Sequence, residues 1–103
     1  MVQAIENLTA LTTRLVETGP HPRLEGWDRA VVDVLDAGPV AGYADLLSRN
    51  VGHRLELAVP SELMEDAVAG VTMRLRAKLA GGEAMAERRP APGDFVIEPP
   101  QSR

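Results

Sequence analysis

The sequence contains no cysteine, only three aromatic residues (Trp27, Tyr43 and Phe95) and a single lysine. The first absence excludes disulfides, a thiolate nucleophile and every cysteine-based metal site. The scarcity of aromatics means that the core must be built from 12 Leu, 11 Val, two Ile and four Met, with 14 Ala among the apolar residues. No apolar run approaches the roughly 20 residues that span a bilayer as a helix. Glu6, Arg14 and Glu17 interrupt the N-terminal segment, and no basic stretch precedes an apolar one. No secretory leader or membrane partner is therefore expected, and the expected location is the cytoplasm.

What is present is one domain's worth of chain. The 103 residues are 45% hydrophobic, which is too apolar for a disordered protein. Ten Arg against one Lys, with abundant Ala, Gly and Pro, is the codon signature of a GC-rich bacterial genome. The net charge of −4 is unevenly spread. Residues 1–69 carry −6, residues 70–89 carry +3, and the tail from residue 90 carries −1. A basic strip on an acidic body can bind phosphate, but it can equally meet the acidic part of another copy.

Periodicity predicts a helix-rich α+β fold. Ala4, Leu8, Leu11 and Leu15 fall on one stripe of a helix from Val2 to Thr18, ended by Gly19-Pro20. Leu24, Trp27, Val31, Val34 and Leu35 do the same for a second helix, Leu24 to Ala37. Gly38-Pro39 then opens a shorter third helix through Asn50. Leu55, Leu57 and Val59 alternate with Arg54, Glu56 and Ala58, the pattern of a strand over His53 to Val59. Ser61 as an N-cap, acids in the first turn and bases in the last favour a long helix ending at Gly81-Gly82. Val71, Met73, Leu75, Ala77 and Leu79 also alternate with Thr72, Arg74, Arg76 and Lys78, so residues 71–79 have an alternative reading as an additional strand. As a strand, that stretch would place its three bases on one face.

Residues 1–89 are expected to form the compact domain, and 90–103 a Pro-rich C-terminal segment. Phe95-Val96-Ile97-Glu98 within it reads as a short strand. It is expected to pair with His53–Val59, or alternatively to add to another chain's sheet. Two strands alone make a poor sheet in water.

No catalytic, cofactor or metal site is expected. His53 reads as a partly buried, hydrogen-bonded structural residue, and His21, between two prolines, as a surface connector. No local spacing supports a metal site. Ser61 lacks a nucleophile-elbow context, and Gly38–Gly42 lacks the lysine of a phosphate loop.

Val31-Val32-Asp33-Val34-Leu35-Asp36-Ala37-Gly38-Pro39-Val40-Ala41-Gly42-Tyr43 resembles the opening of the bacterial PadR-like winged helix-turn-helix regulators. That resemblance implies a helix on each side of the Gly-Pro turn and a DNA-binding transcriptional regulator. It departs from the family where a basic recognition helix is due, because Glu62, Glu65 and Asp66 open the next helix.

The best-supported function from sequence is therefore a non-catalytic protein–protein interaction or assembly protein. It would be a homo-oligomer or a small accessory subunit of a larger complex. Phe95, Val96, Ile97, Arg74, Arg76 and Lys78 are its candidate partner-binding residues, and nucleic acid is not the expected partner. Two alternatives stand behind it: the winged-helix regulator, and a small enzyme built around His53.

Overall fold

The computed structural model describes residues 6–100. Within them the chain forms six strands: β1 (Thr9–Pro20), β2 (Trp27–Pro39), β3 (Arg54–Pro60), β4 (Thr72–Ala80), β5 (Glu83–Ala86) and β6 (Val96–Glu98). The sheet order is β1-β2-β3-β5-β4-β6, and an additional β1–β4 pairing closes the first five strands into a barrel. All pairings are antiparallel except β3–β5. This is the architecture class of the small five-stranded Greek-key barrels.

The expected α+β fold is overturned. No α-helix occurs among the described residues; the helical pieces are single 3₁₀ turns at Ser48–Asn50 and Ser61–Met64. The first expected helix is β1 from Thr9 onward; residues 6–8 precede the strand, and residues 2–5 lie outside the described residues. Its interior face is Thr9, Leu11, Thr13 and Leu15, all buried. Leu11 and Leu15 are four apart, a spacing that satisfies a period of 2 and a period of 3.6 alike. The other two inward positions, Thr9 and Thr13, are threonines, which conceal the alternation. Thr13 is accommodated inside because its hydroxyl donates to the Met73 carbonyl at 3.0 Å.

The second expected helix is β2, with Ala30, Val32 and Val34 in the core. Val31, on the opposite face, is buried as well, and that removed the period-2 signal. The residues that suggested a helix-turn-helix lie in this strand and the loop after it, so the fold removes the basis of that resemblance. The expected third helix is a loop with one 3₁₀ turn. Ser61 does not cap a long helix; its hydroxyl donates to Asp28 at 2.6 Å.

Residues 71–79 take the alternative reading. They belong to β4, whose Met73, Leu75 and Ala77 point inward. Gly81 and Gly82 are the turn of a β4–β5 hairpin rather than a helix stop. Both have positive φ, 58° and 82°, as a two-residue hairpin loop with right-handed strand twist demands. The strand expected over His53–Val59 is β3, Arg54–Pro60, with His53 in the turn before it. Its partners are β2 and β5, however, and not the C-terminal strand.

That C-terminal strand, β6, pairs with β4 through Thr72↔Glu98, Met73↔Ile97 and Arg74↔Val96. β5 pairs with the other end of β4, from Ala77 to Ala80. One side of β4 is thus covered by a strand in two pieces, with residues 87–95 looping out between them. The β1–β2 ladder carries one extra residue in each strand, Leu35 in β2 opposite Thr12–Thr13 and Val16 in β1, and these irregularities bend the pair where β1 also serves β4. The interior holds Leu15, Leu47, Leu57, Val59 and Met73, each 2% exposed or less.

Candidate functional site

A groove of about 1000 Å³ lies beside the β4–β5 hairpin. Trp27, Tyr43, Leu46, Leu79 and Met85 supply its apolar and aromatic lining, and Lys78, Arg88 and Arg89 its positive charge. Four separate stretches of chain converge to make it.

The hairpin places Lys78 directly across from Met85. After Ala86 the chain stays close to β4, because the Glu87 amide donates to the Arg76 carbonyl at 3.1 Å. That leaves Arg88 and Arg89 exposed at the groove. Trp27 begins β2 and is half-buried. Its carbonyl accepts from the His21 amide at 3.0 Å, and its amide donates to Leu24 at 3.3 Å.

The N-terminal stretch is attached through Asn7, which is 7% exposed. Its Nδ2 donates to the Leu79 carbonyl at 3.0 Å, and its Oδ1 accepts from the Leu79 amide at 2.7 Å. A side chain here does the work of a backbone ladder pair, continuing the β1–β4 register beyond Thr9. Tyr43 and Leu46 are brought in by the 40–50 loop. Leu8 donates to the Ala44 carbonyl at 3.0 Å, and Ala44 donates to the Glu6 carbonyl at 3.2 Å. Asp45 locks the loop by accepting from Thr9 Oγ1 at 2.9 Å and from the Ser48 amide at 3.0 Å. The Ser48 hydroxyl also donates to Asp45. That bond, ahead of the others, holds the Asp45 carboxyl below its ordinary value.

The electrostatics single out this face. Arg23, Arg29, Arg54, Arg74 and Arg76 are each engaged by an acid. Lys78, Arg88 and Arg89 form no ion pair among the described residues. Glu87, also at the groove, is held by Arg76 through two hydrogen bonds of 2.9 and 2.7 Å. The hydrogen bonding to Glu87 is the first cause that holds the Arg76 guanidinium above its ordinary value. Glu6 lines the groove as well, so an apolar floor carries a rim of three cations, one acid outside an ion pair among the described residues and one held by Arg76.

The residues expected to bind a partner are divided by the fold. Lys78 lines the groove. Arg74 and Arg76 turn instead to the chain's own C-terminal segment. Arg74 pairs with Glu98 at 3.0 Å, and Arg76 pairs with Glu87 and with Asp94 at 3.3 Å. Phe95 and Ile97 pack half-buried against the core, and Val96 is half-buried in β6. None of the three lines the groove.

His53 is exposed in the turn before β3 rather than partly buried. His21 is not a surface connector: its side chain is 3% exposed and meets Glu83 at 2.7 Å. Among the described residues no group of three or more His, Asp or Glu could hold a metal ion. No described helix is long and apolar enough to cross a membrane.

Sequence reasoning missed Trp27, Tyr43, Leu79 and Met85 as groove residues, and helical periodicity had assigned Trp27 to a buried face. Arg88 and Arg89 carried a signal in the +3 charge of residues 70–89. Comparison with protein-family models, with curated proteins and with solved structures finds no match.

Proposed function

We propose that this protein is a non-catalytic interaction module that acts in protein assembly in the cytoplasm, and that the β4–β5 groove is its contact surface. The observation that carries the reading is the groove itself. It offers an apolar floor large enough for several side chains, with three cations at its rim that form no ion pair among the described residues, beside Glu6 and the Arg76-paired Glu87. Interfaces draw their energy from aromatic and aliphatic anchors in such pockets, with charge at the rim setting partner choice.

A nucleic-acid reading has one observation in its favour. Trp27 and Tyr43 share the groove with three cations, and small barrels bind single strands by stacking and backbone charge. Against it stand a pI near 5.1 and the engagement of Arg74 and Arg76 by acids.

The test is site-specific photo-crosslinking in the source cells. A photoreactive residue at Met85 or Tyr43 should capture an identifiable polypeptide, and one at exposed Arg49, outside the groove, should not. Capture that is absent, or equal at all three positions, would overturn the reading. So would a single-stranded oligonucleotide that binds the purified protein tightly and quenches Trp27.

A further inference from the structure

We infer that the groove of one copy takes the β3–β4 connector of a second copy. The connector, Glu62-Leu63-Met64-Glu65-Asp66-Ala67-Val68, carries three acids against the groove's three cations. Glu62, Glu65 and Asp66 are all exposed and form no ion pair among the described residues. Beside them Val68 is 61% exposed, the most open of the large apolar side chains. Met64 is in the barrel core and Leu63 and Ala67 pack against it, so the stretch offers three acids and the exposed Val68 to a surface of cations and apolar side chains.

Intramolecular pairing sharpens the complementarity. The barrel's other arginines are taken up, with Arg14 and Arg49 the only further described cations outside an ion pair. Three positive charges at the groove and three negative charges on the connector are thus left for contacts outside the chain; Glu6, at the groove, and exposed Glu25 and Asp36 are further acids outside an ion pair among the described residues. No connector residue lines the groove of its own chain. The two surfaces are different patches, so a copy whose groove is filled still presents its own connector. Such a contact is heterologous and can be repeated from copy to copy. A net charge of −4 opposes self-association in general and makes this local match the route by which copies would meet.

This occupant rests on the groove being an interaction surface, and charge reversal tests the two ideas separately. The wild-type protein should self-associate in light scattering at about 100 µM in low salt, the range of a weak specific contact. Added salt should dissociate it. Reversing the groove (Lys78→Glu, Arg88→Glu, Arg89→Glu) should weaken association at least about tenfold, and so should reversing the connector (Glu62→Lys, Glu65→Lys, Asp66→Lys). A chain with both sets reversed should regain it. All six side chains are exposed, so the substitutions leave the core untouched. A wild-type protein that stays monomeric, single reversals without effect, or a doubly reversed chain that fails to recover would overturn the inference. Groove-specific crosslinks to a different polypeptide alongside any of those results would leave the interaction module standing and remove only this occupant. Absence of groove crosslinks would remove both.

Discussion

His21 and Glu83 meet at 2.7 Å across the gap between the β1–β2 loop and the start of β5. The ring's other nitrogen, Nδ1, accepts from the amides of Arg23 and Leu24, each at 3.0 Å. With Nδ1 committed as an acceptor, the proton sits on Nε2, and the imidazole donates to the Glu83 carboxylate. One neutral side chain thus folds its own loop and ties that loop to the β4–β5 hairpin. Trp27 lies at the loop's far end. His21→Ala should cost about 1–2 kcal/mol, because it leaves the part-buried Leu24 amide without its acceptor and removes the tie to Glu83, which keeps only Arg23 at 3.5 Å. Denaturant titration measures the loss, and faster hydrogen exchange at Arg23 and Leu24 locates it.

Asn7 substitutes a side chain for a ladder pair, and Leu79 depends on it. Asn7→Ala should destabilise by about 1–2 kcal/mol and speed exchange at the Leu79 amide. Asn7→Asp should cost more, since a carboxylate would face the Leu79 carbonyl where an amide now donates to it. Equal stability for the alanine variant would show that the bridge is dispensable.

The 40–50 loop should loosen in acid. Asp45 has a carboxyl pKa below the ordinary 3.8 in the folded chain, first because of the Ser48 hydroxyl. Its contribution is therefore fully present above the unfolded value. It disappears as pH falls through the lower folded one. Thermal melts between pH 6 and pH 2 should show a loss of stability below about pH 4, and Asp45→Asn should reduce that loss.

At the C-terminal strand, packing outweighs charge. Ile97→Ala should cost about 1–2 kcal/mol, because the side chain is half-buried against the core. Arg74→Ala removes an ion pair whose partners are 55% and 47% exposed, and should cost under about 0.5 kcal/mol. Chemical denaturation of the two variants side by side decides the ranking.

How much of this was legible follows from what each residue could signal. β3 was, because Leu55, Leu57 and Val59 alternate with polar or small neighbours. β1 was not, since Thr9 and Thr13 fill interior positions with hydroxyls that find partners only across the barrel. β2 was obscured by the burial of both faces around Val31. In β4 the alternation was plain, and Gly81-Gly82 between two such runs was a hairpin signal. It lost to the capping pattern at Ser61, which marks only a 3₁₀ turn. The groove was illegible as a unit. Asn7, Trp27, Tyr43 and Lys78 are distant in sequence, and the closure that gathers them is a tertiary event. The charge asymmetry was visible, but not that Arg74 and Arg76 are used within the chain while Lys78, Arg88 and Arg89 are not.

Closure joins Thr9–Arg14 to Thr72–Ala77, the first strand to the fourth. During synthesis β1, β2 and β3 therefore emerge well before the strand that completes them. The nascent meander must wait with one ladder edge of β1 unsatisfied and its apolar face open to water. Such long-range pairing folds slowly and is exposed to misassembly in the interval. A chain held before Ala86 has emerged is an open sheet, because β5 must still join β3 to β4, and one that has passed it can close as a barrel.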